Sequence, residues 1–476
     1  MSNRWRMAFV AVMLGLAELA PANDSPAEPV RLTLAEAIEL ALAHNRDLAR
    51  GTLDVESSEM ALRSARESVR GLQLTPDGSA GWGPDGEDWR AGFRAQATAS
   101  PGTRVGVSAA ARQIEVDGSS RFRRGEVQVE ISQPLFRNFG SIVRNEPVAA
   151  STDSLRTVRR VWERDRSALV VRVVELYEEL VLLRFQIESD EAFAARLDRL
   201  WALADARERL GRTSRTEVMR MDLQRGEAAV RLETGRSRLA IQFQEFANLL
   251  GQPIESMFRL QPPELLDLNV PDPERALGVA LSERTDYAQA LQDIESSDRQ
   301  WRLARRALLP DLRLTARRSV FGEGDDWSQA GRLEEDDWFV GLTGDVNLNV
   351  RGAWLDAKRS ELDVDSRRQA AEIVRHRLAL EVNSAVATYR RTRAELELAI
   401  RNRELAANRA ELARALFEAG RASADTVSDA EADFLSAELT ALSAQREASL
   451  SAYRLLHALG TLVPAPRELL MREGRI

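Results

Sequence analysis

Hydrophobic and polar positions follow two different periods along this chain. Over residues 125–136, GEVQVEISQPLF, Val127, Val129 and Ile131 alternate with Glu126, Gln128, Glu130 and Ser132. Period two predicts a strand with one apolar and one polar face. The same alternation runs through RAGFRAQATA (90–99), TRVGVSAAAR (103–112), DLRLTA (311–316) and FVGLTGDVNLNV (339–350). The last of these sets Val340, Leu342, Val346, Leu348 and Val350 against Thr343, Asp345, Asn347 and Asn349. Large aromatic residues gather toward the strand ends: Trp82, Trp89, Phe93, Phe122, Phe136, Trp327, Trp338 and Phe339.

Elsewhere the pattern is helical and very long. The spacing predicts helices from about Ser141 to Arg209 and from about Gly352 to Glu418, with Pro147 the only proline in either. At 1.5 Å per residue each would extend roughly 100 Å. No single globular core can use such helices; they must pack along one another. In the second, Val382, Tyr389, Leu396 and Phe417 keep a seven-residue spacing, with Ala385, Ala399, Ala406 and Ala413 as small partners. Leu398, Leu405 and Leu412 form a second row on another face. A two-stranded coiled coil needs one seam; a helix with neighbours on both sides needs two.

The chain is written twice. LAEAIELALAHNRDL (34–48) resembles PERALGVALSERTDY (273–287), with Ala37, Ala41 and Asp47 matching Ala276, Ala280 and Asp286 at an offset of 239. Further on, LGRTSRTEV (210–218) resembles AGRASADTV (419–427), and LLG (249–251) resembles ALG (458–460), both at an offset of 209. The fall in offset places an extra stretch in the first copy, between about residues 71 and 134. The expected organisation is a first repeat over 23–251 (strands about 72–136, long helical hairpin about 141–251), a proline-rich linker over 252–272, and a second repeat over 273–462 (strands about 311–350, hairpin about 352–460). A tail over 463–476 follows.

Composition narrows the function. The net charge is −8, with acids and bases interspersed and no basic stripe, which argues against a nucleic-acid partner. There is no cysteine, so disulfides, thiolate metal sites and N-terminal lipidation on cysteine are excluded. His44, His376 and His457 are far apart and do not suggest a metal site. Neither a nucleophile elbow nor a phosphate-binding loop occurs. No catalytic, cofactor-binding or metal residue is expected, and the protein is not read as an enzyme. At the N-terminus, Arg4 and Arg6 precede the apolar run from Met7 to Leu16, and Ala20-Pro21-Ala22 offers a cleavage site before Asn23. That is the pattern of a secretory signal peptide over residues 1–22.

The strands then admit two readings. In a soluble sandwich the apolar face is core; in an outer-membrane barrel it meets lipid while the polar face lines a lumen. The export signal, the few strands per chain and the small, smooth Ala- and Val-rich faces favour a barrel assembled from several chains. Val127, Val129, Ile131, Val340, Leu342, Val346 and Leu348 are then the lipid-facing candidates.

At this point the sequence resembles the outer-membrane factors, the TolC-type efflux channels of Gram-negative bacteria. The resemblance rests on LTLAEAIELALAHNRDL (32–48), SQPLFRNFG (132–140), the LGR and AGR tips and LLGQP (249–253), and it covers nearly all of the mature chain. It implies a mainly α fold with a transmembrane β-barrel portion: a homotrimer with a trimeric β-barrel in the outer membrane and a periplasmic α-helical tunnel. Each protomer of the family usually gives four strands to a barrel of twelve. It also implies a passive exit duct of a tripartite efflux or type I secretion system, docked to a periplasmic adaptor and powered by an inner-membrane pump. The sequence departs from the family in two places. Asn347 stands where Pro134 stands in the first copy, and the first copy carries an added hairpin-like piece around Ser100-Pro101-Gly102. The strand number could therefore exceed four.

Two segments remain. The duplicated tips place Gly211 and Gly420 at helix C-termini, followed by Arg212 and Arg421 and by Ser214 and Ser423. A tight turn accounts for Gly and Ser. It does not account for the repeated arginine. In the resembled family these tips meet the adaptor, so Leu210, Gly211, Arg212, Ser214, Ala419, Gly420, Arg421 and Ser423 are the docking candidates. The acidic stretch GEGDDWSQAGRLEEDDW (322–338) reads first as a solvated loop between two strands. The rival function is a periplasmic coiled-coil scaffold without a pore, which would not require alternating strands at matched places in both copies.

Overall fold

The computed structural model describes residues 30–83, 86–99, 101–116, 120–210, 214–256, 258–269, 272–345, 350–419, 421 and 424–463. The expected signal peptide and nearly all of the tail lie outside these. In the first repeat, β1 (Val30–Leu32) leads into α1 (Leu34–His44) and α2 (Arg46–Arg70). Four strands follow: β2 (Gln73–Gly83), β3 (Gly86–Thr98), β4 (Arg104–Val116) and β5 (Ser120–Pro134). The short α3 (Ser141–Arg144) precedes α4 (Glu146–Arg209), which is paired with α5 (Arg215–Leu249). The linker carries β6 (Phe258–Leu260). The second repeat runs α6 (Pro273–Glu283), α7 (Thr285–Arg306), β7 (Asp311–Gly324), α8 (Trp327–Ala330), β8 (Glu335–Asp345), α9 (Val350–Glu418) and α10 (Ala424–Leu459).

Local chemistry starts the repeats. Thr33 and Glu36 form a reciprocal cap: the Thr33 N–H donates to Glu36 Oε2 at 2.8 Å and the Glu36 N–H to Thr33 Oγ1 at 3.3 Å. Two N–H groups at the start of α1 are thereby satisfied. Asn45 then caps α2, accepting from the N–H groups of Asp47 and Leu48, and donates across the fold to the Leu249 carbonyl at 2.9 Å. The equivalent residue in the second repeat is Arg284, whose guanidinium pairs with Asp286 at 2.9 Å and Glu381 at 2.8 Å.

The duplication is visible in two matching cores. One gathers Ala37, Ala41, Val173, Val174, Tyr177, Leu180, Phe246 and Leu250; the other gathers Ala276, Ala280, Val382, Val386, Tyr389, Ala452, Leu455 and Leu459. The alanines of α1 and α6 let those helices lie close against α4 and α9. Each hairpin ends in a glycine with positive φ, Gly251 at 71° and Gly460 at 77°. A Cβ at Gly251 would lie 2.1 Å from the His44 carbonyl oxygen, so the residue needs both the left-handed backbone and the absence of a side chain.

The long helices form a wall. At 64 and 69 residues, α4 and α9 extend about 96 and 104 Å. Toward the sheet the wall is ordered α2–α4–α7–α9, and toward the tips α5–α4–α10–α9. The predicted start of α4 at Ser141 is interrupted at Asn145, which separates α3 from α4. Pro147 falls in the first turn of α4, where its missing N–H costs nothing.

All the remaining strands belong to one antiparallel sheet, ordered β2–β3–β4–β5–β7–β8. It grows from the end of the wall where α2, α4, α7 and α9 meet it. Two features differ from the sequence reading. β2 is an additional strand; in its sequence, QLTPDGSAGWG, Leu74, Ala80 and Trp82 alternate with Gln73, Thr75, Asp77 and Ser79, but Pro76, Gly78 and Gly81 are poor strand formers. β8 covers 335–345 and Val350 is already the first residue of α9, so Val350 leaves the strand. Val346 and Leu348 lie outside the described residues.

Candidate channel wall and hairpin tips

Register decides which side chains share a face of the sheet. Ile131 pairs with Val105 on β4 and Ala316 on β7, and Ala316 pairs with Val340 on β8. Val129 pairs with Val107, and Val127 with Ala109 and Val320. Leu314 pairs with Leu342. The five described lipid-facing candidates, Val127, Val129, Ile131, Val340 and Leu342, therefore lie on one face. Leu74, Phe93, Ala95, Val105 and Val107 continue that face across β2–β4. Val340 and Leu342 are 61% and 66% exposed in the single chain.

The opposite face is polar along every strand. Gln128 pairs with Ser108 and Ser319, Glu130 with Arg317, and Arg94 with Thr75 and Ser108. Arg124 bridges to Glu323 at 2.9 Å and Arg112 to Asp88 at 2.9 Å on this side. Such a sheet suits a boundary between an apolar and an aqueous medium.

The end of the sheet far from the helices is aromatic. Trp82 and Trp338 are exposed there, and Trp89 stacks on Trp327 of α8 at 5.0 Å between centroids. The Asp326 carboxylate caps α8, accepting from the N–H groups of Ser328 and Gln329. α8 folds back over Gly125 and Gly322, where a Cβ would meet the Ala330 carbonyl at 2.8 and 2.7 Å. The acidic stretch is thus only partly a loop: Glu323 ends β7, and Glu335, Asp336 and Asp337 open β8. Phe93 lies mid-strand, and Phe339 lies on the polar face beneath Arg317; neither belongs to the aromatic end. Arg318, paired with Asp336 at 3.2 Å, interrupts the apolar face beside Val129 and Trp338. Sequence reading missed it, though extending period two past DLRLTA would have placed Arg318 there.

At the other extremity of the molecule lie the residues that flank the tips. Leu210 ends the α4 side with its side chain 71% exposed. Ser214 is the N-cap of α5, with extended backbone (φ −79°, ψ 147°), and its Oγ accepts from the Thr216 hydroxyl at 3.0 Å. Ala419 N–H bonds to the Ala415 carbonyl at 3.0 Å and Arg421 N–H to that of Leu416 at 2.8 Å, closing the end of α9. The Arg421 side chain is exposed. Gly211, Arg212, Gly420 and Ser423 lie outside the described residues.

The helical wall holds two perturbed groups near its middle. Burial pushes the Glu178 carboxyl up to about 7, with Ser449 and the Arg446 charge opposing only in part. Tyr177 is pushed up to about 12 by burial. Its hydroxyl lies 2.8 Å from the Leu32 carbonyl and 2.7 Å from that of Gln261, and accepts from the Gln261 N–H at 3.1 Å. It thereby ties β1 and the linker strand β6, which pair in parallel. No metal-binding cluster occurs among the described residues, and none of their helices is long and apolar enough to cross a membrane.

A sheet with one lipid-compatible face, joined to a hundred-ångström helical wall, defines the class of an outer-membrane channel with a periplasmic extension. Comparison agrees. Residues 276–461 match the family model of outer membrane efflux proteins. The fold resembles the CmeC outer membrane channel of Campylobacter jejuni (TM-score 0.70, 16% identity, covering 92% of this chain and 88% of that one). It also resembles VceC from Vibrio cholerae (TM-score 0.65, 17% identity, 90% and 96% covered) and the open-state MtrE channel of Neisseria gonorrhoeae (TM-score 0.66, 16% identity, 90% and 89% covered). A comparison with curated protein sequences finds no match. The second repeat is thus similar to the outer membrane efflux proteins, and the whole chain shares the fold of these channels.

Proposed function

We propose that three copies of this chain form the exit duct of a tripartite efflux or type I secretion system. The barrel sits in the outer membrane, the helical tunnel crosses the periplasm, and the tips dock to a periplasmic adaptor. An inner-membrane transporter supplies the energy.

The observation that carries the reading is the pair of unpartnered apolar rows on opposite edges of the helical wall. On α9, Leu398, Leu405 and Leu412 are 58%, 67% and 61% exposed. On the other edge, Met219, Leu223, Val230 and Ile241 of α5 and Leu53 and Met60 of α2 are likewise exposed. Burying a leucine contributes about 1.5–3 kcal/mol, so two such rows favour closing the wall edge to edge into a tube. Native mass spectrometry of the detergent-extracted protein should return a trimer. A monodisperse monomer that nonetheless inserts into membranes would overturn the reading.

A further inference from the structure

Six strands, and not four, stand in this chain's sheet. The extra pair is the β2–β3 hairpin, and it is built into the wall as firmly as the others. Strand β3 pairs with β4 from Asp88 to Thr98, and β2 pairs with β3 from Gln73 to Gly83. The hairpin keeps the two-faced pattern: Leu74, Phe93 and Ala95 continue the apolar side, while Thr75, Asp77, Arg94 and Gln96 continue the polar side. The β3–β4 turn is fixed at the helical end. Gly102, at φ 117°, packs within 3.2 Å of Pro134 measured from where its Cβ would be. The Gly140 N–H donates to the Pro101 carbonyl at 2.8 Å, and the Arg144 guanidinium donates to the carbonyls of Thr98 and Val69.

The sheet's two edges are β2 and β8. Side chains of β2 from Gln73 to Trp82 are exposed, as are those of β8 apart from Gly341. Unpaired strand edges are not tolerated in the hydrocarbon layer. β2 runs away from the helices and β8 runs back toward them. When copies stand side by side with all helices on one side, β8 of one copy meets β2 of the next antiparallel, each 11 residues long. Pro76 leaves β2 one backbone donor short.

We propose that β2 and β8 of neighbouring copies pair directly, so that three copies close an eighteen-strand barrel; the count of three rests on the trimeric reading above. Widths support the number. Six strands spaced about 4.8 Å apart and tilted about 40° cover about 38 Å of circumference. The four helix columns beneath them, about 9 Å apart, cover about 36 Å. Four strands would cover only about 25 Å and force the barrel to narrow above the tunnel. Eighteen strands give a backbone diameter of about 36 Å, against about 24 Å for twelve. The duct thus leaves the cell through an opening as wide as its tunnel, suited to cargo bulkier than a twelve-strand barrel would pass.

The chain has no cysteine of its own, so disulfide trapping is unambiguous. Thr343→Cys is combined in turn with Gln73→Cys, Thr75→Cys, Asp77→Cys or Ser79→Cys on β2, and separately with Gly106→Cys, Ser108→Cys or Ala110→Cys on β4. All these positions share the polar face. Oxidation in outer-membrane vesicles should convert at least one β2 combination into covalent trimer and none of the β4 set. If the β4 set crosslinks between copies and the β2 set does not, the hairpin lies outside the barrel: the eighteen-strand proposal fails and the trimer stands. If neither set crosslinks, copies do not meet at β8 and the trimeric reading fails with it.

Discussion

The hydroxyl of Tyr177 lies 2.7 Å from the carbonyl oxygen of Gln261, and this contact couples the longest helix of the first repeat to the linker between the repeats. Tyr389, its counterpart in α9, holds the same linker further along by accepting from the Leu268 N–H at 3.0 Å. One tyrosine in each repeat therefore ties the belt around the helical wall.

The two contacts are unequal, and mutation should show it. Tyr177→Phe removes the bonds its hydroxyl makes to the linker, while the Gln261 N–H keeps its bond to the Leu32 carbonyl at 3.2 Å, so the loss is about 0.5–1.5 kcal/mol for each bond removed. Tyr389→Phe removes one accepted bond, costing about 0.5–1.5 kcal/mol. Thermal unfolding followed by circular dichroism in detergent should show the larger drop for Tyr177→Phe. Equal effects would mean that the linker is held by packing alone.

Glu178 makes stability depend on pH. Its folded-state carboxyl titrates near 7, above its ordinary value of 4.5, because burial disfavours the charged form. Below 4.5 both states carry the proton and nothing is lost. Between 4.5 and about 7 the unfolded chain ionises first, so stability falls as pH rises. Above about 7 the cost is complete, on the order of 3 kcal/mol per chain. Glu178→Gln should therefore raise the melting temperature at pH 8 and leave it unchanged near pH 4.5. A variant that is no more stable at pH 8 would place the ionised carboxylate in contact with water.

Legibility differed from segment to segment for physical reasons. The duplication could be read because the same packing needs recur: Ala37 and Ala276 sit under helices, and Gly251 and Gly460 turn the chain. Strand faces could be read wherever β-branched residues alternate with polar ones, as at Val127–Ile131. β2 was passed over because Pro76, Gly78 and Gly81 are poor strand formers, although Leu74, Ala80 and Trp82 alternate with Gln73, Thr75, Asp77 and Ser79. Its ladder to β3 outweighs that weak propensity. Arg318 was missed because one charged residue on an apolar face is specified by its partner, Asp336, from the next strand. The second apolar row of α9 was legible as a second seam, but which surface covers it depends on another copy of the chain.

The faces of β5 can be tested directly. Gln128→Cys should react with a membrane-impermeant thiol reagent in intact outer-membrane vesicles, and Val129→Cys should not. The neighbouring positions differ only in the side of the sheet they face. A charge on the apolar face should cost about 2–4 kcal/mol where it reaches the bilayer midplane, and less at Val129, which already neighbours Arg318. Equal reactivity at the two positions would remove the barrel assignment for this strand.

The tips carry the last test. A duct that must stay sealed to a partner while it opens has to be gripped at its far end, and the described tip residues suit that task. Arg421 is exposed just past α9, with its backbone N–H already bonded to Leu416 and its guanidinium available for bidentate bonds to carboxylates or carbonyls. Leu210 offers exposed apolar surface on the companion hairpin. Two tips per chain give six around a trimer, a near-sixfold ring able to meet a hexameric adaptor. Arg421→Glu reverses the charge without touching either core, and Gly420→Trp fills the turn with bulk. Both variants should be extracted as trimers from the outer membrane in normal amounts and yet abolish export. Export at wild-type rates by both, with expression matched, would reduce the tips to simple turns and move the docking surface elsewhere on the tunnel.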